Sequence, residues 1–185
     1  MDQRATNRDQ LIATLGETFR ECGFAGTSLS EITKRTGLGK SSLYHFFPKG
    51  KSEMAEAVLN NIDTWFQDNV FIPLRNSENT RTHINNMFTS VDEYFQSGQR
   101  ICLVGAFAID NTRDLYALKV KSYFKDWINA LALALKQIGY RQSEAKSLAE
   151  DIVASIQGGL IIARSQNDPS AFTRTLNRLR NRVEL

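Results

Sequence analysis

Apolar residues recur at three- and four-residue intervals along almost all of this 185-residue chain, and that period restricts the fold more than any other feature. Proline stands only at Pro48, Pro73 and Pro169, and no convincing two-residue alternation separates them, so the chain reads as all helical. Leu11, Ile12, Leu15 and Phe19 mark a first helix from about Thr6 to Cys22, stopped by Gly23, after which Phe24 packs back. Met54, Val58, Ile62, Trp65 and Phe66 mark a fourth, expected to break near Pro73. Ile84, Met87, Phe88, Val91 and Phe95 mark a fifth, ending at Ser97-Gly98. Ile101–Ile109 is apolar almost all round; its length suits a strand or a short buried helix, and the lack of any partner strand decides for helix. From Arg113 to Ile138 two apolar faces run side by side, which requires cover from more than one side. Ser143 can cap an eighth helix bearing Leu148, Ile152, Val153, Ile156, Leu160 and Ile161. Its Gly158-Gly159 pair costs about 1 kcal/mol per glycine relative to alanine, a cost that tight packing against another helix would explain. Asp168-Pro169 places a cap before a proline at the first helical position, and Phe172, Leu176, Leu179 and Val183 follow as one stripe opposite four arginines.

An apolar content of 42% and a charged content of 23% are those of a globular protein. No apolar run reaches the roughly 18–20 residues needed to span a bilayer, so no membrane association is expected. Cys22 and Cys102 lie in apolar surroundings with no signal peptide ahead of them, which points to a reduced, cytoplasmic location. The net charge of +3 decides nothing by itself; what matters is where the charges sit.

They gather in Thr27–Lys51. Ser28 and Glu31 have the spacing of a capping box, so a helix should start after Ser28 and stop at Gly37. Gly37-Leu38-Gly39 offers two positions for positive φ, and helical spacing then resumes from Lys40, with Leu43, Phe46 and Phe47 inward and Lys40, Ser41, Ser42, Tyr44 and His45 outward. No acidic residue stands between Glu31 and Glu53, whereas Lys34, Arg35, Lys40, Lys49 and Lys51 are basic, an asymmetry suited to a polyanion. The simplest reading is a DNA-binding helix-turn-helix. Arg4 and Arg8 form a short basic arm ahead of it.

Other chemistries fit poorly. Gly39-Lys40-Ser41 imitates the end of a phosphate-binding P-loop, but Lys34 stands where that motif needs glycine and no strand precedes it. His45 and His83 are the only histidines, and neither sits in a metal-binding or triad-like setting. No catalytic residue, metal or cofactor is therefore assigned. The arginines of the last helix read as a solvated face with carboxylate partners rather than a second nucleic-acid surface. Trp65, Phe66, Phe88, Tyr94, Phe107, Tyr116, Tyr123 and Trp127 must mostly be core, yet so many rings between helices also suit a flat apolar ligand. Cys102, after Arg100 and at the start of the short apolar helix, reads as a buried small hydrophobe, with thiol sensing as the alternative. Cys22 reads as packing.

The head pattern FxxxGFxGTSLSEIxxRTGLGKSSLYHFFPKGKSEM, the count of nine helices and the terminal GGLIIARSQNDPSAF together resemble the TetR/AcrR family of bacterial repressors. The FFPKGK and CLVGAFAID segments make the body similar to the LmrA/YxaF-type branch. The resemblance implies an all-α, nine-helix protein with a helix-turn-helix head over residues 1–51 and a ligand-binding and dimerisation body over 52–185. It further implies a homodimer on a pseudo-palindromic double-stranded operator, released by a small-molecule effector. Carried over residue by residue, it gives Thr27 and Ser28 as phosphate holders, Lys40, Ser41 and Ser42 as base readers, and Tyr44, His45 and Lys51 as further phosphate contacts. Ligand-lining candidates are Trp65, Phe66, Phe88, Cys102, Phe107, Tyr116, Tyr123 and Trp127, and dimer-interface candidates are Ile152, Ile156, Leu160, Phe172, Leu176 and Leu179. Thr33 and Thr36 replace small apolar residues common at the helix crossing, so their hydroxyls must bond back to a carbonyl within the helix. Gly39 replaces the usual serine cap of the recognition helix. A repressor sensing electrophiles or oxidants through Cys102, and a helical small-molecule-binding protein or enzyme, are the alternative functions.

Overall fold

The computed structural model describes residues 3–111 and 113–183; the side chain of Arg4 lies outside the described residues. In chain order the helices are α1 (Gln3–Cys22), α2 (Leu29–Thr36), α3 (Lys40–Phe46), α4 (Lys51–Phe66, continued through Gln67–Phe71 and Ile72–Arg75), α5 (Thr80–Tyr94), α6 (Leu103–Ile109), α7 (Ala117–Gln137), α8 (Gln142–Ser165) and α9 (Ser170–Arg182). Among the described residues there are thus nine helices and no strand, and the apolar 101–109 segment is helical from Leu103.

The chain divides into two compact units, one running to Thr64 and taking in Leu103–Lys119, the other comprising Trp65–Cys102 and the chain from Val120 onward. In the first unit, Leu15, Phe19, Ile32, Leu43, Phe47 and Met54 bring α1 to α4 onto one buried core. The α6 helix packs on α1 in that same unit.

In the second unit, Pro73 does not break α4 as expected. The helix widens into a π-helical turn over Gln67–Phe71 just before the proline and runs on to Arg75. A wide turn removes ordinary i→i−4 partners, and the Asn69 side-chain amide donates to the Trp65 carbonyl at 2.8 Å. The α8 and α9 helices pack along each other. A Cβ on Gly159 would lie 3.3 Å from Thr175 and 3.4 Å from Phe172, so that glycine lets α9 approach, while Gly158 meets nothing of its own chain. The α8 helix is capped not by Ser143 but by Arg141 and Glu144, because the helix opens at Gln142, one residue ahead of the serine. Asp168 caps α9, accepting from the Ser170 N–H at 3.1 Å. Gly98, with φ +94, seats a 3₁₀ turn against that helix start: a Cβ there would fall 2.6 Å from the Pro169 oxygen and 2.7 Å from the Phe172 Cβ.

Candidate nucleic-acid interface

Ser28 is extended (φ −86, ψ 158) and its hydroxyl accepts from the Glu31 N–H at 3.1 Å, which starts α2. The Glu31 carboxylate does not close the other half of the box. It accepts from Arg35, which also binds Glu21 and so ties α2 to α1. Those contacts hold the Glu31 carboxyl below its ordinary range and push Arg35 up. Gly37 ends α2 in the left-handed region (φ 70), its N–H donating to the Thr33 carbonyl. Gly39 is different from expectation: at φ −68 it is an extended cap that needs no glycine-specific conformation and gives α3 no side-chain hydrogen bond. The hydroxyls of Thr33 and Thr36 do bond back, to Ser30 O at 2.8 Å and Ile32 O at 2.7 Å. The P-loop imitation is excluded by α2, which stands where a strand would be required.

Helix α3 is seated by Leu43 and the following Phe47, both fully buried, whereas Phe46 is only half-buried, its ring edge-on to His45 at 5.7 Å. Lys40, Ser41, Ser42, Tyr44 and His45 are exposed as one outward row, and Lys34 and Lys49 are exposed as well. Arg8 lies over the Phe47 ring at 5.4 Å. One cation, three hydroxyls and an imidazole on one short helix supply donors of different reach: the lysine can reach base edges, and the others suit phosphate oxygens.

Two expected phosphate holders are engaged elsewhere. Thr27 is 1% exposed and its hydroxyl donates to the Gly23 carbonyl at 2.6 Å, closing the end of α1. Lys51 Nζ donates to the carbonyls of Phe24 at 2.9 Å and Thr27 at 3.0 Å and lies 4.5 Å from the Phe24 ring centroid. Sequence spacing placed both residues beside the motif correctly, but could not reveal that the α1–α2 turn has carbonyls to satisfy.

The body residues also sort differently from expectation. In the second unit Phe66 is a hub, with Trp65, Tyr94, Tyr123 and Trp127 at centroid distances of 4.9–5.2 Å. Trp127 donates to Met87 Sδ at 3.5 Å, and Phe88 is covered by Arg180 at 5.8 Å. Phe107 and Tyr116 do not belong to that cluster: they lie in the first unit, 5.6 and 5.8 Å from Phe24. Cys102 is buried, and the Arg100 guanidinium stacks on Tyr94 at 4.7 Å and donates to its carbonyl. Ile152, Ile156, Leu160, Phe172, Leu176 and Leu179 are already buried within a single chain, Phe172 edge-on to Phe95 at the end of α5 at 6.0 Å. The large apolar residues α8 leaves exposed are Ile161 and Ile162, at 66% and 48%. The arginines of α9 have local partners, Arg174 on Asp168 and Arg182 on Asp151.

Among the described residues no helix is long and apolar enough to cross a membrane. Residues 11–58 match the family described as bacterial regulatory proteins, tetR family, and residues 76–177 match the transcriptional regulator LmrA/YxaF-like C-terminal domain. The chain is 26% identical over 172 residues to the uncharacterized HTH-type transcriptional regulator YxaF of Bacillus subtilis, covering 91% of this chain and 90% of that protein. It is 24% identical over 161 residues to the HTH-type transcriptional regulator LmrA of the same organism, covering 85% and 86%. A TetR transcriptional regulator from Chloroflexus aurantiacus has a similar fold, with a TM-score of 0.80 at 21% identity over 100% of this chain and 97% of that one.

Proposed function

The chain belongs to the TetR family of transcriptional regulators, in the branch with an LmrA/YxaF-like C-terminal domain, and from that premise we propose a cytoplasmic homodimeric repressor released from its operator by a small hydrophobic or aromatic effector. The observation that carries this reading is the exposed row on α3, held by Leu43 and Phe47 and free of acidic neighbours in its own segment. Lys40 donates to guanine O6 or N7, Ser41 and Ser42 read beside it, and Tyr44, His45 and Ser28 hold phosphate. Residues 1–51 are the DNA-binding part and 52–185 the effector and dimer part.

Two recognition helices must reach successive major grooves about 34–36 Å apart, which one chain does not provide. Ile161 and Ile162, exposed on α8, are the surface on which a second copy supplies the other. The effector site is the aromatic cluster of the second unit, entered at the half-buried rings of Trp65 and Tyr94, 4.4 Å apart, whose tilted stack suits a flat ring. The effector releases DNA only by binding the released state more tightly than the DNA-competent one, so operator must weaken effector binding by the same factor.

The test is a gel-shift or anisotropy titration on duplex from the gene's own upstream region against an unrelated duplex. A preferential, salt-dependent shift is expected. Equal binding to both duplexes at low salt, with no preference at any salt, sinks the operator reading.

A further inference from the structure

We propose that Lys51 is a positioning residue of the head and not a ligand of DNA, and that the joint it closes fastens the segment Leu103–Lys119 to the helix-turn-helix; the consequence for DNA rests on the operator reading above. An ammonium has three N–H donors and no acceptor. Two donors of Lys51 are taken by Phe24 O and Thr27 O at 2.9 and 3.0 Å, and the charge faces the Phe24 ring at 4.5 Å. One N–H remains, but the two carbonyl bonds and the ring fix the amine at the α1–α2 turn, and swinging it outward to a phosphate would break both bonds and leave those carbonyls without it. Exposed lysines at Lys34, Lys40 and Lys49 meet a polyanion at no such cost.

The clamp acts at the point that decides where α2 begins. Thr27, whose carbonyl it holds, immediately precedes Ser28, the α2 cap, and α2 carries α3. Phe24, the other residue held, packs against Phe107 at 5.6 Å and Tyr116 at 5.8 Å, and those two rings meet each other at 5.1 Å. The Tyr116 hydroxyl donates to the Ser52 carbonyl at 3.4 Å, on the first turn of α4 beside Lys51. Three stretches distant in sequence, the α1–α2 turn, the start of α4 and the 103–119 segment, therefore share one buried joint inside the first unit. Displacing the 103–119 segment removes two rings from beneath Phe24 and loosens the frame of the recognition helix.

The first measurement uses full-length protein without DNA. Lys51→Met keeps the side-chain stem and removes the ammonium; amide exchange in the 24–36 stretch should quicken about tenfold or more while the second unit is unchanged. Lys51→Arg, which retains a cation and donors, should restore most of that protection. Phe107→Leu should quicken the same stretch, though it lies far off in sequence. Unchanged exchange in Lys51→Met overturns the clamp, and unchanged exchange in Phe107→Leu overturns the joint. The second measurement is the salt dependence of binding to the upstream duplex. A clamp predicts weaker binding with an unaltered slope; a phosphate ligand predicts a slope lower by about 0.9 per protomer, and that result overturns the proposal. A wild-type protein that does not bind the duplex refutes the operator reading alone, and the exchange result then decides the role of Lys51.

Discussion

Gly98→Ala tests how α9 is held. Gly98 sits at φ +94, where an L side chain is strained, and the added methyl would fall 2.6 Å from the Pro169 oxygen and 2.7 Å from the Phe172 Cβ. Placing alanine in such a conformation costs about 1–2 kcal/mol, and overfilling a packed site typically costs about 1–3 kcal/mol more. Because the nearer atom is backbone, the clash cannot be relieved by turning a side chain, and the total should be roughly 2–5 kcal/mol. For a chain of this length that lowers Tm on the order of 10 °C. Gly139→Ala is the internal control: its φ is +115, but nothing lies within 4 Å of the new Cβ, so only the conformational cost applies. Thermal and denaturant unfolding of both variants gives the contact contribution as their difference. Equal destabilisation of the two would refute the claim that close approach at Pro169 and Phe172, rather than backbone conformation, makes glycine necessary at 98.

On operator variants, Tyr44→Ala should weaken binding to every sequence alike, whereas Lys40→Ala should cost about 1–3 kcal/mol at one base position and relax preference there; equal losses from both on all variants would overturn that division. Ile161→Glu puts a carboxylate on the exposed α8 surface and should shift sedimentation from dimer to monomer without lowering helix content; an unchanged dimer places the interface elsewhere. The link from Glu31 to Arg35 should be pH-dependent in one direction. The folded carboxyl is held below its ordinary range, so its stabilisation is complete above about pH 5 and fades as pH falls through the lowered value. The stability difference between wild type and Glu31→Gln, followed by Tm, should therefore shrink on acidification; a difference that grows contradicts the sign.

Helix period, caps and the head were legible in the sequence because each is set by near neighbours. Ser28, Gly37, the back-bonded hydroxyls of Thr33 and Thr36, and Asp168 all act within four residues of their partners. The carbonyl partners of Lys51 were not legible because they stand 27 and 24 residues away, and a lysine at a helix start looks the same whether its amine meets water, phosphate or a carbonyl. The stripes of α8 and α9 are legible as apolar, but amphipathicity does not say which element covers a face; here α9 packs on α8, on α5 and on the 3₁₀ turn at Gly98. Nor does composition sort rings into clusters. Phe107 and Tyr116 join Phe24, and Tyr123 and Trp127 join Phe66, by tertiary placement alone.

The wide turn in α4 carries a record of chain length. Phe66, Val70 and Leu74 are fully buried at four-residue steps, which around a straight α-helix would swing the third side chain about 80° from the first. The turn over Gln67–Phe71 absorbs that swing. Deleting the exposed Asn69 would leave the buried Phe66, Val70, Phe71 and Leu74 at i, i+3, i+4 and i+7, the ordinary spacing of an amphipathic helix. The turn thus has the form of a one-residue insertion looped out without disturbing its flanks, and a one-residue gap at this point is where chains of the same fold can differ in length at least structural cost.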